Sequence, residues 1–198
     1  MMKSGNSISV SRETEERLKC FVELLLKWNP RINLVSPKDI HQVWERHVQD
    51  SLQIVPLLAG AESFTDLGSG GGFPGIVAAI ATGIPATLVE SDQRKAVFLR
   101  EAARLTEAPV TVLAERIEKV DIAPADVVTA RALAALPKLL EWTAPLLKKE
   151  GRAVFLKGQN AINEIKDAET FWQMTIRCHP GMTGHDGLIL EVSNLKRV

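Results

Sequence analysis

The sequence predicts an α/β protein: a doubly wound, mostly parallel sheet of seven strands, with an N-terminal helical extension and a C-terminal antiparallel hairpin. Three observations carry that prediction. From residue 64 onward, short apolar runs rich in Val, Leu, Ile and Thr alternate with helical patterns, which calls for parallel strands joined by right-handed crossovers. Glycines crowd the first strand-to-helix turn, FTDLGSGGGFPGI at 64–76. The first third of the chain shows helical periodicity and no strand pattern.

Each element follows in order. In SRETEERLKCFVELLLKW (11–28), Ser11, Thr14 and Glu15 supply N-cap chemistry and an acidic first turn. Leu18, Phe21, Val22, Leu25 and Leu26 recur at three- and four-residue steps, and Asn29-Pro30 is expected to end this helix. The linker RINLVSP leads to a second helical stretch, 37–59, where Ile40, Val43, Trp44 and His47 share a face. Pro56 either interrupts that stretch or starts a new turn. We place the extension at 1–62 and the sheet domain at 63–198. The sheet domain reads as strand FTDL, helix 74–82, strand ATLVE (86–90), helix 92–106, strand VTVLA (110–114) and a short helix 116–120. Strand ADVVTA (125–130), helix 134–148, strand RAVFLK (152–157) and a helix at 160–170 come next. MTIRCHP and GLILEVSNL close the chain as a hairpin, joined through Pro180, Gly181, Gly184 and Gly187.

Composition narrows the function classes. At 198 residues, 45% of them hydrophobic, the chain supports one core. No apolar run approaches the ~18 residues of a membrane helix. The N-terminal MMKSGNSISVSRETEER lacks an apolar signal centre, so a cytoplasmic protein is expected. Cys20 and Cys178 form no ligand set and read as two buried free thiols; no metal site and a monomeric state are expected. The formal net charge of zero removes the argument for a polyanion partner from bulk charge, and leaves room for a local basic face.

The glycine turn poses the chemical question. A tight turn explains one or two glycines, hardly the four at 68 and 70–72. A phosphate loop needs GxxxxGK[ST], and Phe73-Pro74-Gly75 provides neither lysine nor hydroxyl. A dinucleotide loop needs GxGxxG, but Gly68-x-Gly70-x-x-Phe73 lacks the third glycine, and Asp66 would face an incoming pyrophosphate poorly. A carboxylate there suits a cofactor bearing an amine or sulfonium. Glu90, ending the second strand, is placed to accept from two ribose hydroxyls. Asp-x-Gly-x-Gly followed by an acid ending the next strand is the pattern of class I methyltransferases, and S-adenosylmethionine is the expected cofactor.

Beyond that superfamily, FTDLGSGGGFPGIVAAI, LVESDQRKAVFLREAARL, AERIEKV and VTARALAALPKLLEWTAPLLKKEGRAVFLKGQ resemble the glucose-inhibited division protein B family of ribosomal RNA small subunit methyltransferases. WNPRINLVSPKDIHQVWERHVQDSL and the tail GHDGLILEV fit the same family. The most distinctive blocks are the RHVQDSL segment and the ARA and LKG pair. The resemblance implies N7-methylation of a guanine in the 530 loop of 16S ribosomal RNA. It also implies that Gly68 and Phe73 line the cofactor, that Ile117 and Glu118 flank its adenine, and that Arg131 meets the cofactor or the site mouth. Where the family often has aspartate this chain has Glu90, and where it often has proline this chain has Gly71, so a more flexible loop is expected.

Guanine N7 carries a free lone pair, so no general base is expected; placement of N7 in line with the methyl group is the task. In duplex RNA that atom lies in a deep, narrow groove, so the target should be unpaired. RNA-contact candidates are Arg46, Lys157 and Arg197, with Arg31, His47 and Lys196 behind them. Lys157, ending the fifth strand, is expected to meet substrate at the crevice edge. His47, Asp50 and Ser51 look like a triad fragment, but no oxyanion loop or nucleophile elbow accompanies them; His47 is expected to cap the extension or pack it against the cofactor domain. Two other readings stay open here: a small-molecule methyltransferase on the same fold, and a non-enzymatic cofactor-binding module.

Overall fold

The computed structural model describes residues 8–181 and 187–198. The extreme N-terminus read for targeting and Gly184 of the hairpin loop lie outside the described residues. Seven strands form one sheet in the order β3-β2-β1-β4-β5-β7-β6. They are β1 (Phe64–Leu67), β2 (Ala86–Val89), β3 (Val110–Leu113), β4 (Ala125–Arg131), β5 (Leu147–Lys157), β6 (Trp172–Pro180) and β7 (Leu188–Arg197). β1 to β5 are mutually parallel; β7 is antiparallel to both β5 and β6. Strand order reverses between β1 and β4, and a ligand crevice belongs at the carboxyl ends there.

Successive strand residues face opposite layers, as the pleat requires. Phe64, Leu88, Val127 and Val154 join one apolar layer with α1 (Arg12–Ile32), α3 (Gly75–Thr82) and α4 (Gln93–Leu105). Leu67, Val89, Val128 and Phe155 join the other with α5 (Leu136–Thr143) and α6 (Ala161–Glu169). β1 is buried throughout, as a central parallel strand covered on both faces must be.

The extension is part of this core. Leu18, Phe21 and Leu25 of α1 sit in the same apolar cluster as Ile76 and Phe98. Three arginines stitch it down: Arg17 donates to the Thr106 and Glu107 carbonyls, Arg152 to those of Leu57 and Ala59, and Arg131 to that of Arg46.

Three elements differ from the sequence reading. α1 runs through Pro30 to Ile32. The proline falls in the last turn, and the buried Asn29 side chain accepts from the Leu34 and Val35 amides, fastening the chain beyond it. The stretch 37–59 is not one helix. It comprises a 3-10 turn at Ile40–Gln42, a π-helical turn at Trp44–Val48, α2 (Gln49–Leu52) and a 3-10 turn at Val55–Leu58 that contains Pro56. The expected helix 134–148 stops at Thr143; a 3-10 turn holding Pro145 follows, and β5 begins at Leu147. Proline cannot donate to the helix ladder, so the chain turns into the sheet there.

Candidate active site

The glycine turn leaves β1 at the point where strand order reverses. Gly68, Gly70 and Gly72 take φ of +63°, +53° and +92°, a left-handed backbone that favours glycine. Most of the close approach, however, is made by the protein's own atoms. A Cβ at Gly71 would lie 2.8 Å from the Leu34 carbonyl oxygen. One at Gly72 would lie 3.1 Å from the Phe21 ring, and one at Gly75 would lie 2.6 Å from Asp66 Oδ2. Gly70 alone among the turn's glycines is open, with only the Gly68 carbonyl oxygen within 4 Å, at 3.7 Å. Gly71 is therefore not a point of added looseness; the extension packs on it.

Glu90 holds the turn from the β2 side. Its Oε2 accepts from the Gly70 amide at 2.8 Å and its Oε1 from the Asp92 amide at 2.8 Å. A carboxylate offers about four lone-pair directions, so acceptor capacity remains for a ligand.

Asp66 takes a different place from the one expected. It has no accessible surface, and Oδ1 accepts from the Thr129 hydroxyl at 2.7 Å. Its carboxylate lies beneath Gly75 at the start of α3. Burial raises its pKa to about 6, against the opposing Ser69 and Thr129 hydroxyls; the neighbouring Glu90 charge adds to the rise. Asp66 thus braces the turn from below and does not face the crevice. Phe73 is buried too, edge-on to Phe21 with ring centroids 5.4 Å apart and stacked on His47 at 5.0 Å. Its ring is spent on joining the turn to the extension.

Ile117 and Glu118 form the turn after β3, beyond the Glu90 side of the crevice; Ile117 is half-buried and Glu118 exposed.

On the β4 side a cleft of about 680 Å³ opens. One wall comes from the extension, with Asp39, Arg46, His47 and Asp50. A second is the segment 131–134 after β4, and a third is Lys157–Gln159 after β5 with Glu164. The described charged groups are paired. Arg46 lies 2.8 Å from Asp39, Arg131 3.2 Å from Asp50, and Lys157 2.6 Å from Glu164. Among the described residues three acids face three bases, so that part of the lining is formally neutral.

Burial pulls the Arg131 guanidinium below its usual value, while Asp50 and Asp39 oppose that. Asp39 is held below the ordinary carboxylate range, chiefly by the Ser36 hydroxyl and also by Arg46. Burial, then Arg131, depress His47 to about 4, so its ring is neutral near pH 7. Neither ring nitrogen has a hydrogen-bond partner among the described residues; the Asp39 carboxylate stands 3.7 Å away. Ser51 donates to the His47 backbone carbonyl and Asp50 is engaged by Arg131, so no triad exists here. His47 joins the extension to the turn, as expected.

The RNA-contact candidates separate. Arg46 lines the cleft. Lys157 lines it too, but its side chain is 6% exposed, paired with Glu164 and donating to the Ala134 carbonyl; it is a brace, not a free cation. Arg197 is 66% exposed but pairs with Trp172 at the far end of the hairpin, whereas Leu188 pairs with Lys157 at the cleft. Nine residues of strand place Arg197 about 30 Å from the cleft end, and Lys196 shares that remote position. Arg31 is exposed in the last turn of α1.

Comparison with known proteins gives this geometry its family. The family described as rRNA small subunit methyltransferase G matches residues 14–183. A protein named ribosomal RNA small subunit methyltransferase G from Gluconobacter oxydans is 57% identical over 190 residues, 96% of this chain and 98% of that one. The chain belongs to the rRNA small subunit methyltransferase G family. A second member, from Paramagnetospirillum magneticum, is 48% identical over 100% of this chain and 95% of its own. Among solved structures, an O-methyltransferase from Bacillus cereus in complex with SAH has a TM-score of 0.56 at 19% identity, covering 96% of this chain and 94% of that one. Ribosomal protein L11 methylase from Lactobacillus delbrueckii subsp. bulgaricus has a TM-score of 0.60 at 18% identity, covering 75% and 78%. These two likenesses speak for the fold.

Among the described residues no group of His, Cys, Asp and Glu is arranged to hold a metal ion. No helix among them is long and apolar enough to cross a membrane. Arg131 was legible as the residue ending a strand at the switch point. The cleft acids Asp39 and Glu164 were missed, because charged residues spaced this far apart carry no local pattern.

Proposed function

We propose that this protein methylates N7 of a guanine in the 530 loop of 16S ribosomal RNA, giving 7-methylguanosine, with S-adenosylmethionine as donor. The observation that carries it is family membership: 57% identity to a named ribosomal RNA small subunit methyltransferase G across nearly the whole chain. The site's form supports the same reading. Gly68 and Gly70 present left-handed backbone at the switch point, and the open face of Gly70 lets a ligand approach the main chain. Glu90 retains acceptor capacity for ribose hydroxyls, and Ile117 with Glu118 bounds the adenine end. Asp66 acts through the turn and Thr129 as a positioning residue; Arg131 stands at the mouth between cofactor turn and cleft.

When bound, the cofactor supplies an electrophilic methyl group on a sulfonium sulfur. The chain's own residues then bind, orient and exclude water. The neutral guanine N7 attacks with its lone pair, so no side chain takes a proton, and the neutral, enclosed His47 is consistent with that. The methyl group would pass to N7 with cleavage of its bond to sulfur, so the task of the chain's own residues is to hold N7 in line with that bond. The cleft beside the turn is the acceptor pocket, large enough for a nucleotide extruded from its helix. Arg46 at its rim meets the RNA backbone. The substrate partner is 16S RNA or the small subunit, and we infer a monomeric cytoplasmic enzyme whose cleft is built from one chain.

Labelled methyl transfer tests this: purified protein with small ribosomal subunits or 16S RNA should give one N7-methylguanine, and none with small-molecule acceptors. Transfer to a small molecule with none to RNA would overturn the reading.

A further inference from the structure

Leu133 touches both halves of the site. On one side it covers Gly68: a Cβ there would stand 2.4 Å from Leu133 Cδ1 and 3.1 Å from Cδ2. On the other side it lines the cleft. Unlike Leu136, Leu139 and Leu140 immediately after it, which are buried core, Leu133 is only partly buried. Gly68 opens at the carboxyl end of β1 beside β4, where ligands of this architecture lie. A side chain in contact with that glycine denies the space to any ligand atom.

The segment that carries Leu133 is short and pinned at both ends. Arg131 is fixed by Asp50 at 3.2 Å and by the Arg46 carbonyl at 2.9 Å. At the other end, Lys157 donates to the Ala134 carbonyl at 2.7 Å. Glu164 holds Lys157 and also accepts from the Leu136 amide at 2.8 Å. Between the pins, Ala132 is exposed and has φ of +46°, a left-handed conformation that residues with a Cβ rarely keep. Rotation about the Leu133 side-chain torsions moves its methyl groups without disturbing either anchor.

We propose that Leu133 is a displaceable gate: in the free protein it fills the space over Gly68 that S-adenosylmethionine requires, and ligand binding turns it off Gly68 toward the cleft. This inference rests on the reading that S-adenosylmethionine binds at the glycine turn. Turned toward the cleft, Leu133 becomes the partition between cofactor and acceptor base, so occupancy of the first site shapes the second.

Calorimetric titration with S-adenosylhomocysteine, which binds without turnover, tests the gate in wild-type protein and Leu133→Ala. With no side chain to displace, the variant should bind about tenfold more tightly, the equivalent of one half-buried leucine contact. In wild-type protein an NOE between the Leu133 methyl groups and Gly68 Hα should be present when free and lost at saturation. Equal or weaker binding by the variant, or an NOE that persists at saturation, overturns the gate and leaves the cofactor reading standing. A wild-type protein that does not bind S-adenosylhomocysteine overturns both. Should Leu133→Ala not fold, the wild-type NOE decides.

Discussion

Replacing Asp66 with asparagine should change how stability depends on pH. The carboxylate is fully buried, and its pKa is raised from 3.8 to about 6. At 1.36 kcal/mol per unit, the ionised form is about 3 kcal/mol less favourable in the folded chain than in the unfolded one. Between those two values the folded protein holds more protons than the unfolded, so this group's contribution is fully present below about pH 4. It is lost as pH rises through 6. His47 acts in the opposite sense. Its folded pKa of about 4 lies below 6.5, so its contribution is complete above pH 6.5 and falls away as pH drops toward 4. Allowing for partial solvent screening, we take that contribution as about 1–2 kcal/mol. The two slopes oppose each other over the same range, and the wild-type profile should be shallow. Asparagine preserves the shape of the buried group and can meet the Thr129 hydroxyl. Urea unfolding from pH 4 to 8 should therefore show Asp66→Asn gaining on wild type as pH rises, reaching about 3 kcal/mol above pH 7, with no gain at pH 4. Parallel profiles for the two proteins would refute the reasoning.

Further outcomes follow from the geometry. Gly71→Ala places a methyl 2.8 Å from the Leu34 carbonyl oxygen and should lower stability by about 1–3 kcal/mol; Gly83→Ala, with nothing within 4 Å but φ of +69°, should lower it by only about 1–2 kcal/mol, the cost of the backbone strain introduced, both read by urea midpoint. Arg131→Ala takes the cation away from a largely enclosed Asp50, whose Oδ1 still accepts from Gln53, and should destabilise by about 2 kcal/mol after screening, read by urea midpoint. Glu90→Ala frees the Gly70 and Asp92 amides and should weaken S-adenosylhomocysteine binding about tenfold or more by calorimetry. Arg197→Ala, remote from the cleft, should leave methyl transfer to 16S RNA unchanged, whereas Arg46→Ala should raise the RNA concentration needed for half-maximal rate.

Much of this architecture was legible because parallel strands buried on both faces must be short and apolar, as FTDL and ADVVTA are. The glycine turn and Glu90 stood out because they occupy adjacent strand ends, a position that local sequence defines. What remained hidden depends on atoms distant in the chain. Phe73 looks like a ligand contact until α1 brings Phe21 against it, and the π-helical turn brings His47 to its other face. Gly71 and Gly72 read as room for a cofactor until Leu34 and Phe21 occupy that room. Lys157 looks free because Glu164, its partner, belongs to a helix seven residues on. Arg197 looks available because only antiparallel pairing sends it to the opposite end of the sheet. Pro30 shows the limit of local rules: the helix runs on to a left-handed cap at Asn33, while buried Asn29 just before the proline fastens the chain beyond by accepting from the Leu34 and Val35 amides.

The central claim is methylation of one guanine in 16S ribosomal RNA, and N7-methylguanine mapping by borohydride–aniline cleavage in cells with and without the gene tests it most directly. The account predicts a single modified guanine in the 530 loop that disappears with the gene and returns with the wild-type copy. An unchanged cleavage pattern in the gene's absence would contradict it.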